Sequence, residues 1–349
     1  MCTFPHPEAV RAGHRFVTAN LGNPGLCPGT AELEGEVLDM LGTLFHADPS
    51  TRGGSFVTGG TEANLTALWT FRNLTGKKEL VLPRSAHFSL VKAADILGLR
   101  VRWALLDAAG RARTEGVARL LGPRTAAVVA VAGSTELGAV DPVAEIAEIC
   151  ERRGIPLHVD ASFGGFILPF LGPEDLNPGP FDFRLPGVWS LGADFHKMGM
   201  APIPSGVLLL KDRSLTKAIE MDSPYLSNPR LPGLLGTRPS FTVAAAYTAL
   251  TRLGRSGYRR LIRSCLRRTR KLRDGLERLG FSPVCDPFLN ILAVRPPTGR
   301  LDPLVLSLTR KGWDVSTLPK VGALRLVVMP HVSEKAAQEF LDDVARALK

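Results

Sequence analysis

The stretch Ser190–Lys197 (S-L-G-A-D-F-H-K) ends an apolar run in a glycine, a carboxylate, a histidine and a lysine. A lysine at a strand end that faces a cleft can, when neutral, attack a carbonyl and hold it as a Schiff base. Taken alone, a strand-end lysine is more often a solvated cation. A second element, His158-Val-Asp160-Ala161, closes the apolar run Ile155–Val159. Strand alternation puts His158 and Asp160 on one side. An aspartate there can keep a ring nitrogen protonated, since opposite charges 4 Å apart interact by about 4 kcal/mol at an effective dielectric near 20. The plainer readings of Asp160 are a helix N-cap or a turn acid.

Three further elements accompany these. Thr58–Asn64 (T-G-G-T-E-A-N) opens a helix. Its glycines let backbone approach a phosphate, and a helix N-terminus offers N–H groups and partial positive charge. Thr61 can also cap that helix. The turn is neither a Walker loop nor G-x-G-x-x-G, so ATP and NAD lose ground. His87, in Ser85–Lys92 (S-A-H-F-S-L-V-K), has no chemistry singled out by its surroundings; a polar helix start is the ordinary role. Thr135 lies in Ala132–Gly138 (A-G-S-T-E-L-G), directly after an apolar run, where open α/β sheets bind ligands. In order, these supply a phosphate turn, a histidine, a hydroxyl turn, a strand-end aspartate and a strand-end lysine. Pyridoxal 5′-phosphate (PLP) needs that set, because it works as an electron sink only while its pyridine nitrogen stays protonated.

The elements that must carry these residues alternate. Leu80–Leu82, Val101–Leu105, Ala126–Ala132, Ile155–Val159, Val188–Leu191 and Val207–Leu210 read as strands. Helical patterns cover 30–46, 61–74, 87–97, 114–121 and 142–153. Such alternation implies a mostly parallel sheet covered by helices. After Gly236 come long helical patterns at 240–253 and 257–279. Short strands Phe281–Cys285, Ile291–Val294 and Leu324–Met329 follow, with helices 301–311 and 333–347. We expect an N-terminal arm (1–28), a large ligand-binding domain (29–250) and a small α+β C-terminal domain (251–349).

With 349 residues, 45% of them apolar, the chain can bury a sizeable core. No apolar stretch reaches ~18–20 residues, so no membrane span is expected, and the start lacks a secretory h-region. Five dispersed cysteines without metal spacing read as reduced, cytosolic thiols, with no metal site. The net charge of +10 is concentrated in Arg255, Arg259, Arg260, Arg263, Arg267, Arg268, Arg270, Lys271 and Arg273. An exposed basic helix face is the simplest account. No interleaved aromatics suggest base stacking.

Together the motifs resemble the PLP-dependent group II decarboxylases of the aspartate-aminotransferase fold. The matching stretches are T-G-G-T-E-A-N (58–64), H-F-S-L-V-K-A-A (87–94), G-S-T-E-L-G-A-V-D-P (133–142), H-V-D-A-S-F-G-G-F (158–166), D-F-H-K-M-G (194–199) and L-G-T-R-P (235–239). P-H-P (5–7), N-L-G-N-P-G-L-C-P-G-T (20–30) and L-R-L-V-V-M-P-H-V (324–332) resemble the archaeal branch that decarboxylates tyrosine or aspartate. The resemblance implies fold type I: an α/β architecture with a mostly parallel central sheet and a smaller α+β C-terminal domain. It implies a cytoplasmic homodimer with a shared active site. The reactions implied are L-aspartate to β-alanine, for coenzyme A, and L-tyrosine to tyramine, for methanofuran. By residue, it implies Lys197 carrying the cofactor, Asp160 on the pyridine nitrogen and His87 stacked on the ring face the substrate approaches, as a relay of the proton to the carbanion. Gly60, Thr61 and His196 would hold the phosphate with Asp194 nearby, and Thr135 would lie by the ring hydroxyl or the substrate. Gly236, Thr237 and Arg238 would reach a neighbouring subunit's phosphate. Arg325 and Asn23 are substrate-contact candidates, and Tyr225 a candidate acid on a mobile loop. Ser162 replaces a frequent alanine and should add a hydrogen bond. Family members usually carry a further helix before P-H-P, which leaves the dimer arm of this chain open.

Rival readings are a carbon–carbon lyase for a phosphorylated amino alcohol, or a cysteine desulfurase, for which Cys285 is the one late cysteine near a loop. From another class comes a tRNA-binding protein using the basic helix. The preferred amino acid, glutamate included, is not read from the motifs.

Overall fold

Every residue of Thr125–Val131 is buried, which requires cover on both faces of its sheet. A computed structural model, describing residues 2–172, 175, 178–224, 230–287, 289–297 and 299–348, shows how that cover is built. The elements run α1 (Pro7–His14), α2 (Pro28–Leu44), β1 (Gly53–Val57), α3 (Gly60–Thr75), β2 (Glu79–Pro83), α4 (Phe88–Ile96), β3 (Arg100–Ala104), α5 (Thr114–Leu120) and β4 (Thr125–Val131). They continue with α6 (Val143–Arg152), β5 (Leu157–Asp160), β6 (Val188–Asp194), β7 (Gly206–Leu210), β8 (Glu220–Asp222) and β9 (Arg230–Pro232). The remainder is α7 (Ser240–Arg278), β10 (Ser282–Pro283), β11 (Ile291–Arg295), α8 (Leu301–Arg310), β12 (Ser316–Leu318), β13 (Ala323–Val327) and α9 (Glu334–Ala347).

The central sheet has seven strands among the described residues, in the order β1-β7-β6-β5-β4-β2-β3. Only β7 opposes its neighbours, so the C-terminal ends of β1, β2, β4, β5 and β6 share one edge. Pleating sends alternate side chains to opposite faces. Val128 and Ala130 of β4 and Val207 and Leu209 of β7 join one apolar cluster, with residues of α1, α2, α6 and α7. Ala127 and Val129, with Leu208 and Leu210, join the other, with residues of α3 and α4. On β5, Leu157 and Val159 fill the first cluster, leaving His158 and Asp160 to the α3 side. A second, antiparallel sheet, β10-β11-β13-β12, packs with α8, α9 and the end of α7 around Leu276, Leu292, Leu324 and Val344.

Several elements differ from expectation. The segment read as an arm carries α1, held against α7, with Ala9 and Leu21 inside the main core. The glycine-rich run 53–57 is strand β1, made extended by pairing with β7 rather than by its own propensity. The two expected helices after 240 are joined as α7, broken locally at Gly254, whose φ of 53° and ψ of −176° suit glycine alone. Arg268 is buried, with Nη1 donating to Ser264 Oγ at 3.1 Å, so that arginine leaves the basic face. Gly254→Ala should destabilise the chain by roughly 1–3 kcal/mol and lower its melting temperature by a few degrees, read by thermal unfolding.

Candidate active site

The strand ends converge on a cavity of about 250 Å³ lined by Gly59, Gly60, Thr61, Ser85, His87, Thr135, Asp160, Ser162, Asp194, His196 and Lys197, with Thr58, Val131, Gly133 and Phe163. Its centre is Asp160. Ser162 donates to Asp160 Oδ1 from both Oγ (2.6 Å) and the backbone N–H (3.1 Å), and Asn64 Nδ2 donates to Oδ2 at 3.0 Å. The hydrogen bond expected of Ser162 is therefore made to this carboxylate. Burial alone would raise the Asp160 pKa. The Lys197 charge, these hydrogen bonds and His158 outweigh it and hold the carboxyl below the ordinary value of 3.8.

Lys197 follows β6 and lies with Nζ 2.8 Å from Asp194 Oδ2. His196 sits 3.5 Å from the same oxygen through Nε2, while its Nδ1 lies 2.7 Å from the Ser205 carbonyl. Burial lowers the His196 pKa against the opposing effect of Asp194. Above them runs the T-G-G turn. The N-cap of α3 is Gly59, with φ 145°, and no side chain caps the helix. Thr61 therefore is not a cap; it is the second helical residue and turns to the cavity. Glu62 reaches back instead and accepts from the Thr58 N–H and Oγ1, both at 2.7 Å. A methyl group on Gly59 would stand 2.8 Å from His196 Cε1, and one on Gly60 would collide with Ser162 Oγ. The bare backbone is what leaves space beside the helix N-terminus.

His87 is both things the sequence left open. It N-caps α4, its Nδ1 accepting from the Ser89 N–H at 3.3 Å, and it lines the cavity. Burial lowers its pKa, with Asp160 opposing. Thr135 also lines the cavity, and its carbonyl accepts from Arg325 Nε at 2.7 Å. Arg325 thus braces the Thr135 turn and is not among the residues lining the cavity.

Arg238 does not line the cavity. It donates to Glu34 (2.6 and 3.1 Å), the Phe56 carbonyl (3.0 Å) and the Leu21 carbonyl (3.3 Å), tying α2 to β1. Its guanidinium is thereby engaged inside its own chain. Gly236 and Thr237 are exposed, and Asn23 sits in the turn before α2; none of the three lines the cavity. Tyr225 lies outside the described residues. Cys285 is also off the cavity, and its thiol pKa is raised by burial and then by Asp286 and Asp107, the reverse of what a desulfurase nucleophile needs. The exposed arginines of α7 do not line it either.

Residues 23–286 match the pyridoxal-dependent decarboxylase conserved domain. The chain belongs to that family. It is 46% identical over 346 residues to the probable L-tyrosine/L-aspartate decarboxylase of Methanothermobacter thermautotrophicus, covering 99% of this chain and 95% of that one. It is 40% identical to the probable L-aspartate decarboxylase of Archaeoglobus fulgidus, over 100% and 94%. Among solved structures, the sphingosine-1-phosphate lyase of Burkholderia pseudomallei superposes with a TM-score of 0.91 at 26% identity, covering 100% of this chain and 84% of that one. The glutamate decarboxylase of Lactobacillus brevis, at 24% identity, shares the fold with a TM-score of 0.89 over 99% and 87%. The architecture is the fold-type I arrangement expected from the motifs, and the enzyme is a PLP-dependent carboxy-lyase.

The site fits that cofactor. Asp194 Oδ1 and Ser85 Oγ are buried without a hydrogen-bond partner among the described residues, and both residues face the cavity. The glycine cradle at the start of α3 suits a phosphate. Asp160, ionised, suits a pyridine nitrogen that must keep its proton.

The residues that the motifs did not single out are Asn64, Ser89 and Ser190. Asn64 stands four positions after Gly60, one helical turn inward on the same face, which the 3.6-residue period could have flagged.

His158, fully buried behind Asp160, has its pKa lowered by burial from 6.5 to about 4. Between those values the unfolded chain takes up a proton that the folded chain refuses. The corresponding stability is complete above pH 6.5 and is lost as pH falls toward 4, by about 3 kcal/mol. Urea midpoints measured across that window should fall with acid, and His158→Gln should flatten the slope.

Proposed function

We propose that the chain decarboxylates L-aspartate to β-alanine, with L-tyrosine to tyramine as a second reaction of the same site. The observation that carries the choice of aspartate is that the relatives of Archaeoglobus fulgidus and Pyrococcus abyssi, 40% and 39% identical over the whole of this chain, are named for L-aspartate alone. The names of the archaeal relatives support both substrates.

PLP, when bound, supplies the sink for the electron pair left as the carboxylate departs. The chain does the rest. Lys197, lining the cavity beside Asp194, would provide the amine that holds the cofactor. Asp160 keeps a proton on the ring nitrogen. Gly60, Thr61 and His196 receive the phosphate beside the α3 N-terminus, with Asp194 balancing the nearby cations. His87 closes one face and excludes water, and Thr135 orients the substrate side. Tyr225 remains the candidate donor of the returning proton. Stabilising charge as it develops is the main contribution of such preorganised groups.

We read residues 29–250 as the PLP-binding unit and 251–349 as the small unit, jointed at Gly254. We also propose a cytoplasmic homodimer in which the Gly236–Thr237 turn serves the neighbouring site. The support is a pair of adjoining segments, joined by the Leu21 N–H to the Arg238 carbonyl, that leave Leu26, Leu234 and Leu235 exposed. Sedimentation should report twice the chain mass; a monomer at micromolar concentration would refute this.

The deciding assay incubates the PLP-loaded chain separately with aspartate, tyrosine and glutamate and identifies the amine released. β-Alanine should dominate. Release of none of the three amines would overturn the reading. Lys197→Ala should lose the visible cofactor band and at least roughly a thousandfold in turnover.

A further inference from the structure

Hydrogen bonds continue from Asp160 away from the cavity. Asn64 is buried on α3. Its Nδ2 donates to Asp160 Oδ2 and to Ser89 Oγ, each at 3.0 Å, and its Oδ1 lies 2.8 Å from His158 Nε2. The reversed amide would press an oxygen against the carboxylate, so the charge on Asp160 dictates this orientation. The remaining protons follow by complementarity. The Asn64 oxygen requires a donor, so His158 carries its proton on Nε2, and its Nδ1 accepts from Ser190 Oγ at 2.7 Å. Ser89 Oγ accepts from Asn64, which leaves its own proton for His87 Nδ1, 2.8 Å away. The Ser89 N–H points at that same nitrogen. His87 Nδ1 therefore faces two donors and carries no proton. The single imidazole proton lies on Nε2, which has no hydrogen-bond partner among the described residues and belongs to a side chain lining the cavity.

We propose that Asn64 and Ser89 are positioning residues that fix the tautomer of His87, transmitting the Asp160 charge so that His87 holds its proton at Nε2, toward cofactor and substrate. The proposal rests on the PLP reading only for what His87 faces. Asp160 thereby serves two places at once. It keeps the ring nitrogen protonated, and through Asn64 and Ser89 it keeps a neutral donor, rather than a lone pair, on the substrate side. An imidazolium would need a proton on Nδ1 against both donors, so the relay also holds His87 uncharged. The charged groups facing His87 divide: Asp160 and Asp194 favour the cation, Lys197 and Lys92 oppose it.

The test is a two-bond ¹⁵N–¹H correlation on the full chain labelled at histidine, with and without PLP. The His87 signal is identified by its loss in His87→Gln. The expected wild-type result is the Nε2–H tautomer in both forms. Ser89→Ala should shift His87 toward a mixture of tautomers and raise its titration midpoint by roughly half to one pH unit. Ser89→Thr should restore both. An Nδ1–H tautomer in the wild type, or His87 signals unchanged by Ser89→Ala, would overturn the proposal. A chain that takes up no PLP counts against the cofactor reading alone, because the tautomer is read in the unloaded chain as well.

Discussion

A carboxylate kept ionised at the buried end of β5 is the constraint around which the site is arranged. An uncompensated charge of this kind costs several kcal/mol. Three donors surround Asp160 instead, each charge-assisted bond contributing roughly 1.5–3 kcal/mol. Each donor imposes geometry. The Ser162 N–H and hydroxyl fix the turn leaving β5. Asn64 fixes the rotation of α3 about its axis, and so determines which face of its first turn looks into the cavity.

Orientation of the strands does the gathering. With β7 alone running against its neighbours, five strand ends deliver residues from distant parts of the chain to one edge. Alternation then sorts the strand residues. Leu157 and Val159 enter the apolar core while His158 and Asp160 turn to α3. The glycines at 59 and 60 complete the site by what they lack, since side chains there would occupy the space beside His196 and Ser162.

A lyase and decarboxylases share this architecture with the chain, so the fold does not select the reaction. Thr135 lines the cavity, and its carbonyl accepts from Arg325. The exposed cationic face of α7 lies elsewhere and takes no part in that lining.

The sequence by itself determined the cofactor chemistry and most of the strand–helix alternation. Glycine, aspartate, histidine and lysine were each set at the end of an apolar run, and local periodicity is visible without coordinates. It also left His87 open between a helix start and a cavity wall, and both proved true because one imidazole has two nitrogens. Tertiary structure decided the rest. Strand β1 exists through its pairing with β7, α1 through its packing on α7, and Arg238 found Glu34 across 204 positions. Helical period could place Asn64 on the cavity face, but not its partners or those of Ser89, because hydrogen bonds spanning 25 and 96 residues carry no local pattern. Short-range physics is written along the chain; which buried donors meet which acceptors is settled only when distant segments pack.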